Sequence, residues 1–491
     1  MKRFLEVVPG ASSLAALVAL TVLSWKLPIA VVVFIVLFDL YWLLKVLYLF
    51  FHLRASFSKL KRNLDIDWFS RLKVEVPQWG TLRHLVILPM YRESYEVVRE
   101  SFQSLADANY EKKNLLVVLA LEERGGEEDG KTAERIKGEF AGVFGGFLVS
   151  VHPADIPGEL AGKGANETWA LKTAKGALVD GEKIPYDDIV VSVFDIDTRP
   201  GREYFAILAY RFFGTEDRLH ASYQPIPLFT NNLYHVSLFP RLIGFSATFW
   251  QMMQQSRHEQ LVTFSSHSVP FRALVEIGYW HTDIVSEDSR IFFQCLLHYS
   301  GKWKTVPLFY PVYMDAVEGR TFLEAMKNLY LQQRRWAWGV ENFPYVVGEF
   351  IKRKDIPFRI KRFWTLKIFD GFFSWATNSF IIFLFGAAPN VLGSEAFRQT
   401  VYSYNLPLIT GWLINLSSFG IVTAAFLSMH LLPPRGERIR AREYALYLSQ
   451  WALMPLTFIV FGSVPAFEAQ IRLALGGRFR LGFWKTPKGK K

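Results

Sequence analysis

The sequence predicts an α/β domain with a mostly parallel sheet, flanked by N- and C-terminal transmembrane helices. Short apolar runs alternate with helical patterns between about residues 83 and 345, as in a sheet built from right-handed crossovers. Long apolar segments lie on both sides of this region. Of the 491 residues, 51% are hydrophobic and 16% aromatic, a composition that argues against disorder and favours a membrane component.

The positive charge of the chain lies beside its apolar segments. The formal net charge is +11, and much of it comes from four stretches that are rich in Lys and Arg and poor in acidic residues: 52–73, 351–367, 433–442 and 472–491. The positive-inside rule expects this arrangement, whereas a nucleic-acid binder carries its basic surface on the folded domain. We therefore expect membrane lipids as partners and no nucleic acid. The single cysteine, Cys295, excludes an intramolecular disulfide and zinc sites built from several cysteines.

Two apolar segments precede the α/β region. Residues 27–50 are long enough to cross a bilayer, and residues 4–25 form a weaker span that Pro9 and Gly10 interrupt. A signal peptide is an alternative for the first segment, but no clean cleavage site follows it. Two closely spaced spans explain the pattern better, and they return the chain to the cytoplasm at the basic stretch after Phe50.

Three apolar segments follow the α/β region, at residues 368–388, 406–432 and 444–466. Three complete spans would leave the basic tail outside, against the positive-inside rule. Either the last segment, which contains Pro455 and Pro465, is re-entrant, or the tail breaks the rule. We expect a cytoplasmic tail.

Three buried strands are predicted within the α/β region. They lie at residues 84–88, 114–121 and 188–194, and helical patterns at 96–108, 131–140 and 165–178 separate them. Ligands of parallel sheets bind beyond the carboxyl ends of the strands. The chemistry is therefore expected just after Leu88, Leu121 and Phe194.

Asp195 and Asp197 follow the third strand directly. Two carboxylates at positions i and i+2 can face one cleft once the chain leaves the pleat, and there they can hold a hard divalent cation. A solvated loop is the alternative, but the position directly after an apolar strand favours a functional role.

Two later motifs also carry chemistry. Glu287 and Asp288 open a helical pattern, where they either complement the helix dipole or cap it, or supply a general base for an acceptor hydroxyl. Gln332, Arg335 and Trp336 lie on a further helical pattern. This helix could clamp a diphosphate and stack against a sugar or a base, or it could anchor in the membrane interface.

The order of these motifs resembles one protein family. Asp-x-Asp, then Ser-Glu-Asp at residues 286–288, then Gln-x-x-Arg-Trp, on an α/β domain between spans, is similar to the family 2 glycosyltransferases. Within that family the chain looks like the membrane-embedded branch that includes the cellulose, chitin and hyaluronan synthases. The resemblance covers roughly residues 83–338 and the arrangement of the spans. It implies a GT-A-like nucleotide-sugar-binding domain that uses Mg²⁺ or Mn²⁺.

The resemblance also implies roles for individual residues. Asp195 and Asp197 would hold the metal, and Asp288 would be the catalytic base with Glu287 beside it. The remaining implied residues form three groups: Pro89, Tyr91, Glu93, Glu122, Lys163, Asn166 and Asp195 at the donor; Gln332, Arg335 and Trp336 at the acceptor and diphosphate; and Phe483, Thr486 and Lys488 as a gating motif in the tail.

The sequence departs from the family pattern in three places. Where the family has an aspartate that contacts the nucleobase, this chain has Glu122 and Glu123. The gating loop of cellulose synthases lies between two spans and carries a valine where this tail has Lys485. Residues 263–272 occupy the acceptor-side region without the usual glycine and cysteine pattern, so the acceptor is not carried over.

These features predict an inverting glycosyltransferase that moves a sugar from a nucleotide-diphosphate sugar, expected to be a UDP-sugar, to a hydroxyl group of a glycan or lipid acceptor. A processive polysaccharide synthase is the first expectation, and a single transfer to a polyprenyl phosphate or glycolipid is the alternative. A non-catalytic membrane scaffold or transporter is a third hypothesis, which the three motifs disfavour.

We expect an integral protein of the plasma (inner) membrane with a cytoplasmic catalytic domain. The predicted divisions are an N-terminal transmembrane hairpin (1–52), a basic linker (53–82), the glycosyltransferase domain (83–345), an interfacial amphipathic segment (346–367), the C-terminal transmembrane region (368–470) and the basic tail (471–491).

Overall fold

The computed structural model describes residues 1–433, 441–482 and 484–486. Its strands are β1 (Arg83–Met90), β2 (Leu115–Glu122), β3 (Gly146–His152), β4 (Ile189–Val193), β5 (Arg199–Pro200), β6 (Ala221–Leu228), β7 (Ser268–Pro270) and β8 (Lys304–Tyr313). These strands form one sheet in the order β3-β2-β1-β4-β7-β6-β8-β5.

The helices of the first half of the chain are α1 (Lys2–Lys26), α2 (Pro28–Leu64), α3 (Trp68–Glu75), α4 (Tyr95–Ala106), α5 (Glu127–Phe140), α6 (Lys163–Ala174), α7 (Tyr204–Phe213) and α8 (Leu238–Gln255). Those of the second half are α9 (Phe271–Glu276), α10 (Glu287–His298), α11 (Phe322–Ala337), α12 (Asn342–Lys352), α13 (Phe358–Phe383), α14 (Ala388–Leu392), α15 (Glu395–Arg398), α16 (Val401–His430), α17 (Ala441–Ser449), α18 (Met454–Thr457) and α19 (Val464–Leu475).

The sheet is parallel in its first half and mixed in its second. β3, β2, β1 and β4 run parallel, as do β6 and β8, whereas β7 and β5 pair antiparallel with their neighbours. In β1, Ile87 lies opposite Val118 of β2 and Val193 of β4. The α/β class predicted from the sequence is confirmed. β1, β2 and β4 lie at the predicted positions, whereas β3 was not predicted.

Helices cover both faces of the sheet. On one face α3, α4, α5 and α7 pack, and Phe102 and Phe205 are fully buried there. On the other face α6, α9, α10 and α12 pack through side chains such as Leu171 and Phe292. The central strands are thus buried on both faces, which is why their sequences are almost continuously hydrophobic.

The second half of the sheet escapes sequence prediction because its strands do not show a regular pattern. β6 contains Pro225 and Pro227, and β8 contains Pro307 and Pro311. Proline has no N–H group to donate to a neighbouring strand, so a segment that contains proline is not readily predicted as a strand. The β6–β8 ladder has a register shift between Gln224 and Ile226, an irregularity next to these prolines. β7 is only three residues long.

Within the described ranges, four helical stretches are long and apolar enough to cross a membrane: Lys2–Lys26, Pro28–Leu64, Val401–His430 and Ala441–Leu475. A further span would combine Phe358–Phe383 with Phe385–Leu392, which are bent by 46°. The predicted apolar helices on both sides of the α/β domain are therefore confirmed.

The first helix is tied to the last one. Ser13 Oγ donates a hydrogen bond to Gln470 Oε1 (2.7 Å), and Arg3 donates to the carbonyl of Leu473 (3.0 Å). These contacts join α1 to α19 and its C-terminal end. α1 therefore packs against the C-terminal helices.

Candidate functional site

The two aspartates after β4 lie at the carboxyl end of the parallel strands but in different environments. Asp195 is partly exposed, and its Oδ2 accepts a hydrogen bond from Ser265 Oγ (2.8 Å). Asp197 is only 1% exposed, and its Oδ2 accepts from the backbone N–H of Asp315 (3.0 Å). One carboxylate of the pair is thus partly exposed, and the other is buried and held by the backbone.

Lys163 contacts residues of both predicted acidic motifs. It is the first residue of α6 and only 7% exposed. Its Nζ lies 2.9 Å from Asp195 Oδ1 and 2.9 Å from Asp288 Oδ1. Glu167 and Glu287 approach the same ammonium at 3.5 and 3.7 Å. We call these five residues the Lys163 cluster.

Burial and mutual repulsion set the charge state of the Lys163 cluster. Burial alone would lower the pKa of Lys163, but Asp195, Asp288 and the two glutamates raise it well above its ordinary value, so the ammonium stays charged. Burial raises the pKa of Glu167 and of Glu287, and for Glu287 the neighbouring Asp288 carboxylate adds to the effect. The ammonium therefore pairs mainly with the two aspartates.

The close approach of α6 and α10 depends on a small residue. A Cβ atom at Gly164 would lie 3.0 Å from the carbonyl oxygen of His281 and 3.1 Å from the Cβ of Glu287. Asn166 holds the same helix to the sheet, because its side-chain amide donates to the carbonyl of Ala120 in β2 (2.9 Å). Asn166 is almost fully buried, so in this structure it supports the site from within the fold.

The turn after β1 presents an aromatic ring between two guanidinium groups. The ring of Tyr91 lies 5.1 Å from Arg92 and 5.2 Å from Arg124. Glu93 fixes the turn, since its Oε2 accepts from the Tyr91 N–H (2.6 Å). An aromatic face beside guanidinium groups can stack on a base and bind a diphosphate. Sequence reasoning did not identify Arg92 and Arg124 as site residues.

Two other predicted donor residues lie close to this turn. Pro89 is part of β1, opposite Ala120. Glu122 is the last residue of β2, and it forms an ion pair with Arg124. The glutamate at the position of the family's nucleobase-binding aspartate therefore holds one of the two arginines beside Tyr91.

The tail contacts the turn after β1, residues 91–93, which we call the donor turn. Lys485 Nζ lies 2.8 Å from Glu93 Oε1 and also donates to the carbonyl of Tyr91. Thr486 is buried, whereas Phe483 and Lys488 of the predicted gating motif lie outside the described residues. Because the tail contacts the α/β domain, both lie on the same side of any membrane that the helices cross.

The helix that carries Gln332, Arg335 and Trp336 lies close to the Lys163 cluster. The charge of Arg335 acts on Glu287, and the ring of Trp336 packs against Phe264 at 5.8 Å. Gln332 is buried in the same helix, α11. The last helix holds α11 in place, because Glu468 accepts hydrogen bonds from Tyr330 (2.6 Å) and Arg334 (2.7 Å).

Besides Arg92 and Arg124, the structure adds two residues that sequence reasoning missed. Glu167 lies four residues after Lys163 on α6, and this helical spacing is a signal that could have revealed it. His267 is fully buried, with Nδ1 3.1 Å from the carbonyl of Phe264 and 3.6 Å from Asp288 Oδ1. Burial lowers the pKa of His267 to about 4, so it lies beside Asp288 as a neutral ring.

The acidic pair is chemically suited to a divalent cation. No group of three or more His, Cys, Asp or Glu side chains is arranged to hold a metal by itself in the described part of the chain. Mg²⁺, however, is usually bound by one or two carboxylates together with substrate phosphates and water. The partly exposed Asp195, with Asp197 two residues further along the chain, fits that mode of binding.

The family model that matches the chain covers more than half of it. The model described as glycosyl transferase family group 2 matches residues 190–462, a range that includes Asp195, Asp288 and Arg335. No curated protein matches the chain.

The chain is also similar to solved structures at low sequence identity. The mannosyltransferase PcManGT from Pyrobaculum calidifontis, in complex with GDP-Man and Mn²⁺, is 14% identical over 86% of this chain and 99% of that chain, with a TM-score of 0.42. Residues 1–349 of TarS from S. aureus, in complex with UDP-GlcNAc, are 15% identical over 73% of this chain and 95% of that chain, with a TM-score of 0.38.

Proposed function

This chain belongs to the glycosyl transferase family group 2 and is a glycosyltransferase, and from this premise we propose that it is an inverting enzyme that moves a sugar from a UDP-sugar to a hydroxyl group of a growing polysaccharide. The acidic motifs, the donor turn and the apolar helices each support one part of this proposal. The catalytic domain in this proposal is residues 83–345, and it lies on the cytoplasmic side of the plasma (inner) membrane, as the basic stretches that flank the apolar segments favour.

One observation carries the proposal. Lys163 Nζ lies 2.9 Å from a carboxylate oxygen of Asp195 and 2.9 Å from one of Asp288. The two aspartates come from segments that are far apart in the sequence: Asp195 follows β4, and Asp288 lies in the first turn of α10. A donor diphosphate near Asp195 and an acceptor hydroxyl near Asp288 would therefore lie within reach of each other, as a direct displacement requires.

Asp288 is the proposed general base. It removes the proton of the acceptor hydroxyl while the oxygen attacks the anomeric carbon from the face opposite the nucleotide, which inverts the configuration. Lys163 orients the Asp288 carboxylate and holds positive charge where the diphosphate leaves. Arg335 adds a second positive charge on the side of α11. Fixed charges of this kind contribute roughly 3 kcal/mol each to transition-state stabilisation.

Asp195 and Asp197 are the proposed residues for a divalent metal, Mg²⁺ or Mn²⁺. When bound, such a cation neutralises charge on the phosphate oxygens of the donor. The chain's own contribution is to keep the two carboxylates oriented. Ser265 holds Asp195 through a hydrogen bond of 2.8 Å, and the Asp315 N–H holds Asp197.

The donor turn and the tail form the proposed nucleotide side of the site. Tyr91, between Arg92 and Arg124, provides a stacking surface with positive charge for the base and diphosphate of the donor. Lys485 of the tail contacts this turn through Glu93. We assign the tail a gating role in which it covers the donor turn when no nucleotide sugar is bound.

Aromatic side chains pack beside Trp336 on the proposed acceptor side. The partly buried ring of Trp336 packs against Phe264 (5.8 Å) and against the buried Phe229 (6.0 Å), and α11 is held by the C-terminal helices. Of these rings, the partly buried Trp336 and Phe264 are the candidates for contact with a sugar ring of the growing chain. A single transfer to a polyprenyl phosphate or glycolipid uses the same chemistry and differs only in product length.

The proposal is tested with purified protein in lipid nanodiscs. The protein is incubated with a panel of UDP- and GDP-sugars and with Mg²⁺ or Mn²⁺, and nucleotide release and product size are measured. Release of UDP from one sugar with long products on a gel is the expected result. Products carrying one sugar would instead establish single transfer, and absence of nucleotide release with every sugar would contradict the proposal. Asp288→Asn protein is the matched inactive control.

A further inference from the structure

We propose that Glu341 is a positioning residue that fixes the segment carrying Glu287 and Asp288. Glu341 lies in the short 3₁₀ turn between α11 and α12, a few residues after Trp336. It touches neither the proposed donor turn nor the Lys163 cluster in the described structure, so its effect would act through the segment it holds. This inference rests on the proposed function in one respect, which is the role of Asp288 as the base.

Both carboxylate oxygens of Glu341 accept hydrogen bonds from described residues. Oε1 accepts from the backbone N–H of Val285 (3.2 Å), the backbone N–H of Ser286 (3.0 Å) and Ser286 Oγ (2.7 Å). Oε2 accepts from Trp338 Nε1 (3.0 Å). We call these four residues the Glu341 cluster. Hydrogen bonds to an ionised acceptor are stronger than neutral ones, so this carboxylate holds the loop firmly.

The start of α10 depends on this contact rather than on ordinary capping. Ser286 is the N-cap residue of α10, a position at which a serine oxygen normally accepts from an N–H of the first turn. Here the described structure has no such capping bond, and Ser286 Oγ donates to Glu341 instead. The place where α10 begins, and with it the position of Glu287 and Asp288, is therefore set by Glu341.

The residue after Glu341 strengthens the same connection. Asn342 donates from its side-chain amide to Ser289 Oγ (2.9 Å), and its Oδ1 accepts from Arg290 Nε (2.6 Å). Ser289 and Arg290 belong to the first turn of α10. The turn after α11 thus holds both the loop before the catalytic carboxylates and the helix after them.

Glu341 also joins two motifs of the site. Trp338, which is 1% exposed, follows Trp336 by two residues and donates to Oε2. A movement of α11 would therefore be transmitted to the segment with Asp288. Because a misplacement of about 1 Å can reduce a rate about 10²-fold, loss of this contact should lower turnover far more than donor binding.

The test uses the difference between a carboxylate and an amide. In Glu341→Gln, only one side-chain oxygen can accept, so the amide NH₂ group must face either the Trp338 N–H or the loop amides. The Trp338→Phe substitution removes the N–H donor on one side. The double variant should then place its amide oxygen toward Val285 and Ser286 and its NH₂ group toward the phenyl ring.

We expect Glu341→Gln to lower kcat by about 30-fold while the donor KM changes less than about threefold. The double variant should recover to within about threefold of Trp338→Phe alone. Amide hydrogen exchange of peptides covering residues 283–290 should accelerate in Glu341→Gln and slow again in the double variant. Glu349→Gln, which changes a carboxylate of the neighbouring helix that pairs with Lys352, should match the wild type.

Several outcomes overturn the inference. It fails if Glu341→Gln has wild-type kcat and exchange, or if the two substitutions are simply multiplicative in the double variant. Asp288→Asn in the same assay separates this failure from that of the proposed function. If Asp288→Asn stays active, the base assignment is wrong, whereas an inactive Asp288→Asn beside a fully active Glu341→Gln removes only the role of Glu341. The exchange measurement decides the positioning role even without measurable transfer.

Discussion

The Lys163 cluster and the Glu341 cluster meet at the start of α10 but are built on opposite principles. In the first, four carboxylates approach one ammonium within 4 Å. In the second, one carboxylate receives hydrogen bonds from two backbone amides, a hydroxyl and an indole of the described chain. The first gathers four carboxyl groups around a single cation, and the second surrounds a single carboxylate with hydrogen-bond donors.

This difference indicates what each cluster does. A site with more carboxylates than cations is prepared to receive further positive charge or to accept a proton, which is what donor binding and base catalysis need. The Glu341 carboxylate already accepts four hydrogen bonds, so it has little remaining capacity to bind a substrate. Its role is to position the residues that donate to it. A substitution that changes charge should therefore impair the chemistry directly in the Lys163 cluster and the positioning of α10 in the Glu341 cluster.

The largest effect is expected for Asp288→Asn. A mild loss of turnover in this variant would contradict the catalytic role of the Lys163 cluster. Loss of the base should lower turnover about 10³-fold, because proton removal by a positioned group is worth that order of magnitude. Donor binding should persist, since Lys163 still faces Asp195. Nucleotide release measures turnover, and titration with the donor measures binding. Near-normal turnover would contradict the base assignment.

The next effect sharpens the comparison within the Lys163 cluster itself. Lys163→Met removes the cation from among the carboxylates and should lower the free energy of unfolding by about 3 kcal/mol. Glu167→Gln is the matched variant and should change it by less than about 1 kcal/mol, because burial raises the pKa of Glu167 and so favours its neutral form. Denaturant unfolding in detergent measures both, and equal effects would refute this account.

A buried ionisable group outside both clusters provides a third case. His84 in β1 is fully buried between Tyr110 and Phe205, with ring distances of 4.9 and 5.1 Å. Burial lowers its pKa to about 3. Below the unfolded-state pKa near 6.5, the unfolded chain binds a proton that the native chain does not, so stability is lost as the pH falls from 6.5 towards 3.

His84→Phe should remove this loss. The variant should gain roughly 2 kcal/mol relative to the wild type between pH 6.5 and pH 5, at about 1.4 kcal/mol per pH unit. Unfolding measured at both pH values in the same detergent checks the result. A difference that does not depend on pH would show that His84 titrates in the folded protein as it does in the unfolded chain.

The smallest effect is expected in the tail, where Lys485 forms a partly exposed ion pair with Glu93 of the donor turn. Lys485→Ala releases the tail from Glu93 and should lower the donor KM about threefold, since such a pair is worth less than about 1 kcal/mol. Lys113→Ala, at a highly exposed lysine elsewhere on the domain, is the control. An increased donor KM would mean that Lys485 binds the donor instead of covering its site.

Much of the parallel half of the fold could be predicted from the sequence. β1, β2 and β4 are buried on both faces, so each is a continuous apolar run, and the residues that follow them could be identified as ligand-facing. The antiparallel half could not be predicted, because β6 and β8 are interrupted by prolines and a register shift. Their pairing depends on neighbours that are distant in the sequence.

The sequence by itself determined the motifs, the apolar helices and the family to which they pointed, because each of these is a local pattern of residue types. Only the tertiary structure decided that Lys163 lies between Asp195 and Asp288, that His267 lies beside the base and that Glu341 holds Ser286. Lys163 and Asp288 are separated by 125 positions along the chain. Contacts of this kind leave no periodic signal, since they arise only when helices α6 and α10 pack on the same face of the sheet.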